Sequence, residues 1–252
     1  MQGISILPVR GLPEVTEGID LAPLIADRAA AAGTSVLAGD VVVIAQKIVS
    51  KAEGRKVALA AVEPSAEAQR LAATCRKDPR LVELVLRESS EIVRCIPGVL
   101  IARHRLGFVV ANAAIDQSNV PGGEDHALLL PFDPDGSAQA VSDALSARAG
   151  GSVAVIVNDS FGRAFREGTC GIAIGCARLE ALVDLRGQPD REGRILQASL
   201  VAHADEIAAA ASLAMGQAAE GVPVAIVRGV SLGSKPRPAS VLVREAERDL
   251  FR

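Results

Sequence analysis

Two acids stand where apolar runs give way to polar chain: Asp116 in Asn112-Ala113-Ala114-Ile115-Asp116-Gln117-Ser118-Asn119 and Asp159 in Asn158-Asp159-Ser160-Phe161-Gly162-Arg163. The runs before them, Phe108 to Ala111 and Val153 to Val157, are short, β-branched and bounded by Gly, as buried strands are. A carboxylate at a strand end is held rigidly. Ser118 and Asn119 follow the first acid, and Asn158 and Ser160 flank the second, so carboxylate, hydroxyl and amide oxygens gather at both places. These are the ligands of a hard divalent cation such as Mg²⁺ or Mn²⁺, for which one or two carboxylates plus substrate phosphates suffice. The expectation is a shared metal site. The competing reading is that each Asp only caps a turn.

Arg163 and Arg166, with the glycines at 162, 168, 171 and 175, extend the second segment. They read as a Gly-rich connection in which backbone approaches a ligand closely while arginine forks take phosphate or carboxylate oxygens. The segment Met215-Gly216-Gln217-Ala218-Ala219-Glu220-Gly221-Val222 follows a helix and precedes a strand. It is either a set of amides facing a phosphate or base, or a plain helix C-cap with its loop. Neither the Walker P-loop nor the dinucleotide-binding glycine fingerprint is present, and no G-x-S-x-G elbow occurs.

The strands that must position these residues are expected at Ile4 to Val9, ended by Pro8 and the turn Arg10-Gly11-Leu12-Pro13, and at Val41 to Ala45. Val99 to Ala102 and Phe108 to Ala111 should pair around Arg103-His104-Arg105, and Pro223 to Val227 should form another strand. Helices are expected over Leu21 to Ala32 with Gly33 as the stop, Ser65 to Cys75, Asp78 to Ser89, Ser137 to Arg148 with Ser137 as cap after the turn beginning at Asp133, and Ala204 to Met215 closed by Gly216. Gln46 to Arg55 carries Lys47, Lys51 and Arg55 and reads as a solvated helix face or a phosphate-contacting loop. Strands and helices alternate without a regular βαβ rhythm. That favours an α+β chain with a mixed sheet over a doubly wound one.

With 252 residues, 49% of them hydrophobic, the chain can bury a sizeable core as one unit, residues 1–252, or as two interlocked subdomains. A net charge of −3, from 27 basic and 30 acidic residues, gives no general pull toward nucleic acid or an anionic membrane, so phosphate binding must be local. No apolar run reaches about 18 residues, and the N-terminus lacks a signal-peptide pattern, so a cytoplasmic location is expected. Cys75, Cys95, Cys170 and Cys176 show no C-x-x-C spacing and the three histidines are scattered, so a zinc site is not expected. The thiols read as small buried hydrophobes, with Cys170 a weak candidate nucleophile.

Arg10 to Pro13, Ser50-Lys51-Ala52-Glu53-Gly54-Arg55, Asn112 to Val120, Leu129-Leu130-Pro131 with Asp133 to Ser137, Asp159 to Arg163, and Ala204-Asp205-Glu206-Ile207 together resemble the γ-glutamyl ligase family of deazaflavin coenzyme biosynthesis, the coenzyme F420-0:L-glutamate ligases. The resemblance runs from residue 4 to about residue 230, with the motifs in the family's order. It implies a GTP-dependent enzyme that joins the amino group of L-glutamate to the lactyl-phosphate carboxylate of coenzyme F420-0 and then lengthens the tail by γ-linked glutamates. It further implies two divalent cations, Mg²⁺ or Mn²⁺, with K⁺, and an intertwined homodimer with an α+β fold particular to the family. By the resemblance Asp116, Asp159 and Ser160 are metal positions. Arg10, Gly11, Leu12, Pro13, Ala45, Gln46, Lys51, Asn119 and Met215, Gly216, Gln217, Ala218, Ala219, Glu220, Gly221 and Val222 are nucleotide positions. Asp116, Asp159 and Lys51 are the expected catalytic set. Gln217 departs from the acidic metal ligand of archaeal members, so the second ion is either held more weakly or completed by Glu220; Ala45-Gln46 replaces smaller polar residues. The reductase domain fused in some bacterial relatives is not expected in these 252 residues. Without the resemblance, the two acids are equally compatible with a metal-dependent phosphohydrolase, and the chain with a GTP-sensing module.

Overall fold

Val41, Val42, Val43 and Ile44 are all fully buried. Successive side chains of a strand point to opposite faces, so such a run requires cover on both sides of its sheet. The computed structural model supplies that cover and describes residues 3–120 and 122–249. Met1 and Gln2, at the head of the N-terminal segment considered above, lie outside the described residues.

In chain order the elements are β1 (Ser5–Val9), α1 (Leu21–Ala31), β2 (Val41–Ala45), α2 (Gln46–Ala52), β3 (Lys56–Ala58), α3 (Ala66–Cys75), α4 (Pro79–Arg87), β4 (Ser89–Ile96), β5 (Val99–His104), β6 (Val109–Ala111), β7 (His126–Leu128), α5 (Pro134–Ala149), β8 (Ala154–Arg163), β9 (Arg166–Ala177), β10 (Val183–Asp184), β11 (Leu200–Val201), α6 (His203–Met215) and β12 (Val224–Arg228). The main sheet has the order β1-β12-β2-β8-β9. Only β2 and β8 run parallel; the other neighbours are antiparallel. With six α-helices among the described residues, the chain is α+β with a mixed sheet.

Val42, Ile44, Val155, Val157 and Ile226 pack on one face against Leu21, Ile25 and Ala29 of α1 and Ala138 and Leu145 of α5. Val41, Val43, Ala154, Ile156 and Val227 pack on the other face against Ile207, Ala208, Ala211 and Met215 of α6. A third cluster joins α3 and α4 to Leu100 and Ala102 of a three-stranded sheet, β4-β5-β6.

Several expected boundaries shift for physical reasons. Asp133, not Ser137, caps α5: its side chain accepts from Gly136 N at 3.1 Å, and Pro134 fits the first helical turn, where its missing N–H costs nothing. Strand β4 was not legible because register shifts between Ser89 and Glu91 and between Ile92 and Arg94 spoil its alternation. The Gly-rich stretch after Arg166 is no open connection; it is β9, hydrogen-bonded to β8 from Arg163 back to Val155. A Cβ at Gly171 would lie 2.6 Å from Ala208 O, and one at Gly175 would overlap the Pro134 carbonyl. Those two glycines let α6 and α5 sit on the strand rather than admit a ligand. Cys75 and Cys176 are buried, and burial pushes the Cys176 thiol up to about 12.

Arg55, three residues after α2, ties the end of α4 to the chain after β7. Its Nη2 donates to both Glu88 carboxylate oxygens at 3.0 Å, and its Nε donates to Leu130 O at 2.8 Å. Arg105 Nε adds 3.2 Å and the buried His104 Nε2 lies 3.4 Å from Glu88 Oε2. Burial alone would raise the Glu88 pKa, but the His104 contact and the Arg55 and Arg105 charges outweigh it and lower it from 4.5 to about 2. A depressed carboxylate contributes stability that is full above its unfolded pKa and lost as pH falls through its folded value. The contribution is on the order of 3 kcal/mol. Urea unfolding of Glu88→Gln is therefore expected to show a deficit against the parent chain at neutral pH that shrinks between about pH 5 and about pH 2. A deficit independent of pH would contradict this role.

Candidate active site

The site begins with a strand irregularity. Strand β8 continues past Val157 to Arg163, so Asp159 sits inside it rather than at its end. A register shift against β9 falls between Val157 and Asn158, and such a bulge re-aims the side chains that follow. Asp159 thereby faces a cleft of about 1450 Å³. Its Oδ1 accepts from Ser160 N at 2.7 Å.

Asp116 reaches the same cleft from the other sheet. After β6 the chain makes a left-handed turn at Asn112, Ala113 and Ala114, with φ of 51°, 52° and 56°. Non-glycine residues pay for that conformation, and such runs persist where surrounding structure enforces them. Asp116 is then fixed by paired backbone bonds to Leu128, 3.0 and 2.8 Å. Asn112 lines the cleft with its buried Oδ1 lacking a hydrogen-bond partner.

Helix α2 starts directly after β2 and presents Gln46, Lys47 and Lys51 to the cleft. Ser50 Oγ donates to Gln46 Oε1 at 2.9 Å, which turns the buried amide so that its Nε2 donates to Asp116 Oδ2 at 3.2 Å. Lys47 Nζ lies 3.4 Å from Asp116 Oδ2 and donates to Ser118 Oγ at 2.9 Å. Lys51, expected in the catalytic set and among the nucleotide positions, lines the cleft and pairs with Glu14 at 2.6 Å. Lys47, named in the sequence only as one cation of the 46–55 segment, is the lysine beside Asp116; its i,i+4 spacing from Lys51 puts both on one helix face.

Burial raises the Asp116 pKa, against the Lys47 charge and the Gln46 hydrogen bond. Asp159 is pushed up to about 7, first by burial and then by the negative charge of Asp116. A pair of acids with one lysine beside them carries negative charge that a cation would relieve. Among the described residues no group of three or more His, Cys, Asp or Glu converges. The donor set nevertheless fits Mg²⁺ or Mn²⁺, because two carboxylates, the Ser160 hydroxyl and phosphate oxygens of a substrate meet the needs of such an ion.

The loop after α6 adds another part of the wall. All of Met215 to Val222 lines the cleft, as do Leu12, Pro13, Ala45 and Asn119; Arg10 and Gly11 are not among the lining residues. Asn119, itself left-handed at φ 56°, donates from Nδ2 to Ala218 O at 3.2 Å, which ties two of the expected nucleotide segments together. Glu220 folds back over Gly216, and its Oε2 accepts from Ala218 N at 2.8 Å. Hydrogen bonds from Ala218 and other loop amides lower its pKa. Arg163 also lines the cleft, its buried Nε without a partner while Nη2 donates to Glu167 O at 3.1 Å.

Comparison with known proteins shows the family. The profile of the F420-0:Gamma-glutamyl ligase family matches residues 11–229. The coenzyme F420:L-glutamate ligase of Methanothermobacter thermautotrophicus is 48% identical over 252 residues, covering 99% of both chains. The enzyme of the same name from Methanopyrus kandleri is 43% identical across the full length of both, and that of Haloarcula marismortui is 41% identical over 99% of this chain and 96% of its own. The matched region spans β6, β8 and the loop after α6, and so contains both carboxylates and that loop; the chain belongs to the F420-0:Gamma-glutamyl ligase family.

Proposed function

We propose that this chain is a coenzyme F420-0:L-glutamate ligase that uses GTP and passes through an acyl phosphate. The observation that carries the reading is the convergence of Asp116 and Asp159, from different sheets, on one cleft large enough for a nucleotide beside a second substrate. A carboxylate is a poor acyl donor, so the lactyl carboxylate must first take the γ-phosphoryl group of GTP. The amino group of L-glutamate, as the free base, then attacks the acyl carbon, and the C–O bond to phosphate breaks as the amide forms. Repetition on the glutamate side chain gives γ-linked extension.

Lys47 and Gln46 hold Asp116 in place and Ser160 N orients Asp159. Arg163 and Arg166, at the rim, offer positive charge to anionic substrate groups. Asp116, Asp159 and Ser160, with Gln217 from the loop after α6, would hold divalent cations, probed best as Mn²⁺ or Mg²⁺ with K⁺ present. Such an ion, when bound, supplies neutralisation of charge on the transferring phosphoryl group. The loop at 215–222, Leu12, Pro13, Ala45 and Asn119 would surround the nucleotide. A homodimer is part of this reading; Val93, Ile96, Val99 and Val109 give the three-stranded sheet an exposed apolar surface for a second copy. GDP formation that requires both glutamate and the deazaflavin precursor supports the reading, whereas GTP hydrolysis at full rate without either would return the site to a phosphohydrolase.

Two further outcomes follow from the loop. Glu220 is occupied by the loop's own amides, so Gln217 is the position left to approach a second ion. Gln217→Glu should lower the Mn²⁺ concentration giving half-maximal rate, and Glu220→Gln should raise it by loosening the loop. A metal titration that neither change moves would assign the segment to the nucleotide alone. A guanine pocket built from the amides of the 215–222 loop leaves groups unpaired against adenine, at about 1–3 kcal/mol each. The kcat/KM for GTP should therefore exceed that for ATP by roughly tenfold or more. Equal values would remove the guanine pocket and leave the ligase chemistry standing.

A further inference from the structure

Beside the main cleft is a smaller recess of about 380 Å³, within the range of about 300–1,000 Å³ usual for small-ligand pockets. Its construction is local. Strands β3 and β7 pair so that Lys56, Ala58 and His126 lie on one face, with Ala58 opposite His126. Lys51 closes the recess from α2, and Glu17 lies across it, its carboxyl carbon 2.7 Å from where a Cβ of Gly54 would be. Gly54, at φ 68°, is the residue that makes room.

The charges have an unusual balance. Neither Lys56 nor Glu17 has an ion-pair partner among the described residues. Lys51 gives one of its three N–H donors to Glu14 and keeps two. The recess therefore offers two ammonium groups and one free carboxylate. An amino acid with an acidic side chain carries the opposite set: two carboxylates and one ammonium. A bare phosphate would meet the lysines favourably but be repelled by Glu17. Val15 and Lys51 line both the recess and the main cleft, so a ligand seated in one can present an end to the other.

We infer that this recess is the subsite for the amino-acid substrate, a dicarboxylic amino acid, with Lys56 and Lys51 on its carboxylates and Glu17 on its amino group before that group enters the cleft. The inference rests on the ligase reading above. It makes Lys56 and Glu17 specificity-determining residues at a distance from the acids of the main site.

The test uses the full chain and the variants Lys56→Gln and Glu17→Gln, at two exposed residues. With Mn²⁺, GTP and precursor saturating, each variant should raise the KM for L-glutamate on the order of tenfold, the value expected for one lost charged hydrogen bond. The KM for GTP should not move. An unchanged KM for glutamate, or a rise in the KM for GTP instead, overturns the assignment. Saturation-transfer NMR with L-glutamate separates this from the ligase reading itself. Transfer seen with the parent chain and lost in Lys56→Gln supports the recess even if no ligated product forms; transfer that is absent from the parent chain, or equal in both, overturns it.

Discussion

Asp116→Asn and Asp159→Asn should each lower the rate of glutamate ligation by a factor on the order of 10³ while the chain still folds. Each change keeps the size of the side chain and removes one negative charge from the place where a cation would neutralise the transferring phosphoryl group. Neither acid belongs to the apolar clusters, so packing is preserved. Asp159→Asn should leave the thermal midpoint unchanged or raise it, because burial and the Asp116 charge disfavour the ionised carboxylate that it replaces. Activity measured with thermal unfolding checks both halves. Near-normal turnover in both variants would end the metal assignment, and loss of activity that merely tracks unfolding would make the acids structural.

The largest stability effect should come from Gly175→Ala. A Cβ there would overlap the carbonyl of Pro134, which is backbone at the start of α5 and cannot rotate away. Separating α5 from β9 would also disturb Asp135, whose Oδ1 accepts from Cys176 N and Ala239 N, both at 2.8 Å. The expected cost is about 3 kcal/mol. Gly168→Ala provides the contrast: nothing lies within 4 Å of its Cβ position, and only its φ of 82° opposes the change, at about 1 kcal/mol. Urea unfolding of both separates the two causes. If Gly175→Ala costs no more than Gly168→Ala, the helix does not rest on that glycine.

The sequence exposed the parts of the fold that follow simple periodicities. Val41 to Ala45 reads as a strand because it is a continuous apolar run, buried from Val41 to Ile44, and α3, α4 and α6 read as helices because their apolar spacing is undisturbed. Where a bulge shifts the register, as in β4 and at Val157/Asn158, alternation breaks and the strand is lost or cut short. Glycines in β9 suggested ligand approach, yet Gly171 and Gly175 answer to helices that come from elsewhere in the chain.

The site shows the same division. Asp116 and Asp159 could be singled out by residue type and setting, but nothing local shows that they meet. Their convergence depends on a left-handed turn at Asn112, Ala113 and Ala114; Asn tolerates that conformation, but nothing about the two alanines announces it. The different settings of Lys47 and Lys51 are equally tertiary: Glu14, far away in sequence, takes Lys51, and Ser118 with Asp116 takes Lys47. Part of the motif at 50–55 is structural, since Glu53 accepts from Phe132 N at 3.2 Å and Arg55 clamps Glu88.

The most direct measurement is the mass of the product formed when the purified chain is incubated with the deazaflavin precursor, L-glutamate, GTP and Mn²⁺. The account predicts a precursor heavier by one or more glutamyl residues, formed together with GDP and absent when GTP, glutamate or Mn²⁺ is left out. GDP accumulating while the precursor keeps its original mass would contradict it.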